Sequence, residues 1–180
     1  RSHRREVRRR CRGAVVAPCP AGHYCAGGRP PVTCSAGTYC PEGSAAPAPC
    51  PAGHFCGAGA KEPSPCVARY FCPEKSEKPS LCPAGSLCSK AQLSAPEECP
   101  RGSFCPGGSS AAQECVEGNY CPAGASAPVP CAPGTYCPVG AAEALACPAG
   151  NFCPDGLKPR DCPCCPERSA KALDCPKKKR

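Results

Sequence analysis

The chain has 180 residues, and 23 Cys, 27 Pro and 19 Gly stand against nine aromatics and no Trp or Met. Ile is absent and much of the 41% hydrophobic content is Ala and Cys, which excludes an ordinary domain built on one large apolar core. The net charge of +8 belongs to the ends: residues 1–12 hold seven Arg and one Glu, residues 177–180 are Lys-Lys-Lys-Arg, and the residues between, with 11 basic and 13 acidic side chains, stand at −2.

Residues 1–10 read as a basic, disordered tail. Its R-x-x-R spacings, Arg1 to Arg4 and Arg5 to Arg8, suit a dibasic processing site. Residue 1 is Arg and no apolar segment precedes the cysteines, so the chain reads as a piece of something longer. No run approaches the roughly 18 apolar residues of a membrane span.

From Cys11 to Cys162 the sequence is a tandem array. One unit recurs nine times: CPAGHYC from Cys19, CSAGTYC from Cys34, CPAGHFC from Cys50, CVARYFC from Cys66, CPAGSLC from Cys82, CPRGSFC from Cys99, CVEGNYC from Cys115, CAPGTYC from Cys131 and CPAGNFC from Cys147. The period is 16 residues, with one step of 15 and one of 17, and both odd steps fall in the connecting loop.

The residue before the second Cys is aromatic in eight repeats: Tyr24, Tyr39, Phe55, Phe71, Phe104, Tyr120, Tyr136 and Phe152, with Leu87 the exception. A ring held beside every pair of cysteines is read as a miniature core, packing on a disulfide and on the next repeat. The third residue after the first Cys is Gly in eight repeats, as a turn with positive φ selects, and Arg69 breaks the rule. A second Gly follows the second Cys by three in seven repeats, which marks another turn. Two turns per 16 residues leave room for strands of three or four residues and no helix. The fold class expected is a small disulfide-rich protein with little regular secondary structure, an elongated tandem array of short irregular β modules.

Ordering 16 residues costs about 16–32 kcal/mol in backbone entropy, whereas burying one aromatic returns about 1.5–3. Disulfides closing loops of about ten residues lower the unfolded-state entropy by roughly 2.5–3 kcal/mol each, and prolines add to this. Thiols paired at this density point to an oxidising compartment, extracellular, secreted or on the ectodomain of a membrane protein.

Two pairing registers are open. Pairing inside each C-x5-C motif uses 18 cysteines and leaves Cys11 and Cys162 over. Pairing across the Pro-rich loop uses 20 and is favoured on that count: Cys11 with Cys19, Cys25 with Cys34, Cys40 with Cys50, Cys56 with Cys66, Cys72 with Cys82, Cys88 with Cys99, Cys105 with Cys115, Cys121 with Cys131, Cys137 with Cys147 and Cys153 with Cys162. Residues 163–180 form a Cys/Lys-rich tail. The odd cysteine total allows a free thiol or an intermolecular disulfide.

The run C-P-A-G-x-Y/F-C-P-x-G-x-x-x-P-x-P-C resembles the ephrin-receptor-like cysteine-rich repeat, and more distantly EGF-like and TNF-receptor-like modules. The resemblance covers residues 11–162 and implies an ectodomain or secreted segment that binds a protein or glycan, or spaces other domains. The kinase of ephrin receptors is not implied, because the chain has no Gly-rich phosphate loop and no H-R-D or D-F-G triplet.

No catalytic residue and no cofactor is expected. His23 and His54 occupy a turn slot that elsewhere holds Thr38, Ser86, Ser103, Asn119, Thr135 and Asn151, so they read as exposed turn residues. The one weak metal candidate is Cys162, Cys164 and Cys165, since the array itself lacks the C-x2-4-C knuckles of structural zinc sites. The basic ends resemble nuclear-import and nucleic-acid arms, but a disulfide array argues against a nucleic-acid partner. Membrane attachment would come through parts of the protein outside this chain. Two alternatives to an adhesion or spacer segment remain: a coat or matrix protein cross-linked by disulfides, and an intracellular thiolate metal protein.

Overall fold

A computed structural model describes residues 18–163 and 165–171 of the chain. Among these residues there is no α-helix. Eighteen strands of two residues each form nine antiparallel hairpins, with a single 3-10 turn at Ala26–Gly28. The strands are shorter than the three or four residues expected, because Cys and Gly close in on each pair from both ends.

Each motif begins with a tight turn. In the first, the His23 N–H donates to the Pro20 carbonyl (3.1 Å), and Gly22 takes φ +81°. A positive φ at this corner is the geometry of a type II turn, and it returns the chain so that Cys19 and Cys25 lie 5.8 Å apart at Cα. The two residues after the turn, His23–Tyr24, pair with Val32–Thr33 from the end of the following loop. All nine hairpins repeat this arrangement.

The disulfides close within the motif. Cys19 bonds Cys25, Cys34 bonds Cys40, Cys50 bonds Cys56, Cys66 bonds Cys72 and Cys82 bonds Cys88. The series continues with Cys99 to Cys105, Cys115 to Cys121, Cys131 to Cys137 and Cys147 to Cys153, and ends with Cys162 to Cys165. The cross-loop register, from Cys11–Cys19 to Cys153–Cys162, is therefore corrected, although Cys11 itself lies outside the described residues. Hairpin register is the reason. Tyr24 faces Val32 and His23 faces Thr33, so Cys34 falls level with Gly22, whose carbonyl accepts its N–H (3.0 Å), and not with Cys25. The loop's two cysteines sit at opposite ends of the ladder.

We call each closed motif a rung. Four backbone hydrogen bonds join the first two rungs. The Gly22 N–H donates to Cys40 O (2.8 Å), and Cys34 N–H donates to Gly22 O (3.0 Å). The Cys25 N–H donates to Ser44 O (2.9 Å), and Gly43 N–H returns to Cys19 O (2.8 Å). With small shifts in the acceptor the set recurs along the column, which makes the molecule an elongated stack whose successive units satisfy one another's polar backbone.

Cysteine forms the core. Eighteen of the twenty disulfide sulfurs' residues from Cys34 to Cys165, together with Cys19, are buried, most of them fully; Cys25 alone is half-exposed. The aromatics are half-buried and lie over this column. Phe104 packs on the next rung's Cys115, Cys121 and Ala125, and Tyr120 packs on Cys131, Cys137 and Ala141. At these two rungs the ring meets the disulfide of the neighbouring repeat.

The stack continues beyond Cys162. The Gly150 N–H donates to Cys165 O (2.9 Å), Cys153 N–H to Ser169 O (2.8 Å) and Arg168 N–H to Cys147 O (2.7 Å). These are the bonds that the earlier rungs make with their successors, the Cys131–Cys137 rung lacking only the return bond to its first cysteine's carbonyl. Cys162-Pro-Cys-Cys165 is thus a shortened tenth rung, and the array reaches residue 171 instead of stopping at Cys162.

Candidate functional site

The chemistry available to the array follows from its sulfurs. All twenty described cysteines are in disulfides, so none of them is a thiolate for nucleophilic attack or metal binding. Cys162 and Cys165 are bonded to each other, with Cα atoms 5.3 Å apart, which removes two members of the metal candidate. The third, Cys164, lies outside the described residues, as does Cys175. Among the described residues no group of three or more His, Cys, Asp or Glu is placed to hold a metal ion.

The polar slot between the turn Gly and the aromatic has a local task. Thr38 and Thr135 donate their hydroxyls to Ser35 O (2.7 Å) and Ala132 O (2.6 Å). Asn119 and Asn151 donate their amides to Glu117 O and Ala149 O. The rings of His23 and His54 approach Ala21 O and Ala52 O at 3.4 and 3.3 Å in the same way. All six side chains tie down the turn they follow, and the two histidines keep to separate rungs.

The two glycine slots carry the geometry that spacing alone hid. All non-Gly residues with positive φ among those described fall on them: Arg69 (77°) on the first, and Lys75 (62°), Gln92 (61°) and Arg168 (63°) on the second. Where the loop is one residue short the second slot moves forward to Gly27, and where it is one long it moves back to Gln92. The left-handed corner is therefore fixed by the stack, and the loop adjusts around it.

The first slot is held by a contact two rungs away. A Cβ on Gly37 would come 2.6 Å from Lys75 O, and one on Gly134 would come 2.5 Å from Arg168 O. The same carbonyl faces Gly22, Gly53, Gly85 and Gly102 from Gly59, Gln92, Gly124 and Gly140. At these six glycines a rung thus meets both its successor and the next but one.

Among the described residues, open surface hollows lie along the stack, and two of them are large. One, of about 470 Å³, is walled by Glu117, Tyr136, Val139, Lys158 and Pro159. The other, of about 360 Å³, is walled by Arg69 and residues from the turn around Gly108. One ion pair is present among the described residues, Arg160 to Asp155 at 2.8 Å, and both partners are well exposed. No described helix is long and apolar enough to cross a membrane. In comparison with known proteins, the chain matches no family model and no curated protein.

Proposed function

We propose that the chain is a non-catalytic, extracellular repeat segment that spaces and displays binding surfaces of a secreted or membrane-attached protein. The observation that carries this reading is the column of ten disulfides, whose cysteines are nearly all of the buried side chains among the described residues. A C-x5-C loop contributes about 2.4 kcal/mol through the unfolded chain, and little large apolar area stands behind it. In a reducing compartment the array would lose both staple and core together. Many intramolecular disulfides favour an oxidising environment, and the motif's likeness to ephrin-receptor-like repeats supports an ectodomain or matrix setting. Repetition of one near-neutral unit suits a spacer or a set of individually weak contacts to protein or glycan.

The test is to produce the chain with and without a secretion leader and alkylate each product before any reductant is added. Secreted protein should resist alkylation at the array cysteines and resist proteolysis, and the cytosolic product should be alkylated throughout and degraded. A cytosolic product that is compact, protease-resistant and alkylatable would overturn the reading and restore the thiolate metal alternative.

A further inference from the structure

Arg69 is the one non-glycine among the nine first-slot residues, and it keeps φ +77° in spite of its Cβ. At six other rungs a turn carbonyl from two rungs on occupies the space where that Cβ would be. At Arg69 the equivalent carbonyl, Gly108 O, instead accepts the Arg69 Nε–H at 2.9 Å. The side chain therefore stands between rungs that elsewhere touch. The hollow of about 360 Å³ lies at this place, walled by Arg69, Gly107, Gly108, Ser110 and Gln113.

Its electrostatics are one-sided. None of the residues walling it is acidic, and the one ion pair among the described residues is elsewhere, so the guanidinium has no carboxylate partner. With Nε engaged, the Nη1–Nη2 edge presents two parallel N–H groups and meets no acceptor among the described residues. That edge matches the two oxygens of a carboxylate, and Ser110 and Gln113, which wall the same hollow, carry neutral donors. A left-handed non-glycine costs about 1–2 kcal/mol where glycine costs nothing, and such strain concentrates at ligand sites.

We infer that this hollow is a binding site for the carboxylate of an Asp or Glu side chain on a partner protein. A polysulfated glycan fits less well, because it needs a strip of cations, whereas the hollow offers one Arg on an array whose net charge is −2. The site does not depend on where the protein resides, only on the rungs being closed.

The test follows the arginine side-chain N–H signals of the oxidised full chain by NMR at fixed ionic strength. A short peptide with a single Glu should shift the Arg69 and Gln113 side-chain signals saturably, and its Gln counterpart should bind at least roughly tenfold more weakly. Arg69→Gly restores the glycine rule, so it should keep the amide protection of Cys82 and Cys88 while abolishing the shifts. Arg69→Lys should weaken them. The inference is overturned if the wild-type signals do not respond, if Arg69→Gly leaves the shifts intact, or if a sulfated oligosaccharide saturates the site at lower concentration than the Glu peptide.

Discussion

Replacing Gly37 with Ala separates the two demands placed on the first glycine slot. An L-residue at φ +81° costs about 1–2 kcal/mol. The added Cβ would lie 2.6 Å from Lys75 O, so the turn two rungs away has to move. That movement strains the bonds from Lys75 N–H to Cys50 O and from Gly37 N–H to Cys56 O, both 2.8 Å, each worth about 0.5–1.5 kcal/mol. The lower unfolded-state entropy of Ala returns about 0.4–1 kcal/mol. The net cost is about 1.5–3 kcal/mol. Gly43→Ala is the control: φ is +80° there too, but nothing lies within 4 Å of the new methyl, which leaves a net cost of about 1 kcal/mol or less.

Amide hydrogen exchange is the suitable assay, because a repeat array opens rung by rung and a single melting point averages over the stack. Every 1.4 kcal/mol is a factor of ten in the opening equilibrium. Gly37→Ala should speed exchange at Cys56, Lys75 and Ser76 by roughly 10- to 100-fold, with Gly43→Ala under about 10-fold. Equal effects of the two variants, or acceleration confined to rung 2 in Gly37→Ala, would refute the contact between alternate rungs.

Two further outcomes test the slots and the aromatic column. Lys75→Gly and Gln92→Gly should each slow local exchange modestly, by a stabilisation of about 0.5–1 kcal/mol, because the second slot holds φ near +62° whatever its side chain. Phe104→Ala should cost about 1.5–3 kcal/mol, read as faster exchange at Cys115 and Cys121, while Phe104→Leu should cost less than about 1.5, since Leu87 already fills the equivalent position.

Much of this was readable from the residues. Gly22 and its equivalents announced a positive-φ turn, and of the rings before the second Cys, Phe104 and Tyr120 pack on the next rung's disulfide. The pairing was not readable, because it depends on hairpin register: Cys34 stands three residues of register away from Cys25, and nothing local to either cysteine reports that Tyr24 faces Val32. Counting ends misled, since the partner of Cys162 is Cys165 in an abbreviated rung that lacks the C-x5-C signature. Arg69 was visible as a break in pattern, but what it displaces is a carbonyl 39 residues away, a relation that only the stacked backbone creates.

Digestion with trypsin without reductant shows whether each disulfide closes inside its own motif. Lys61, Lys75 and Lys90 lie in the loops between motifs, whereas Arg69 lies inside the Cys66–Cys72 ring. Residues 62–75 should be released as one species carrying the mass of one added water, nicked at Arg69 but held by the Cys66–Cys72 disulfide, and should fall into two peptides only when reductant is added. Fragments on either side of Lys61, Lys75 and Lys90 that stay joined until reduction would contradict closure within the motif.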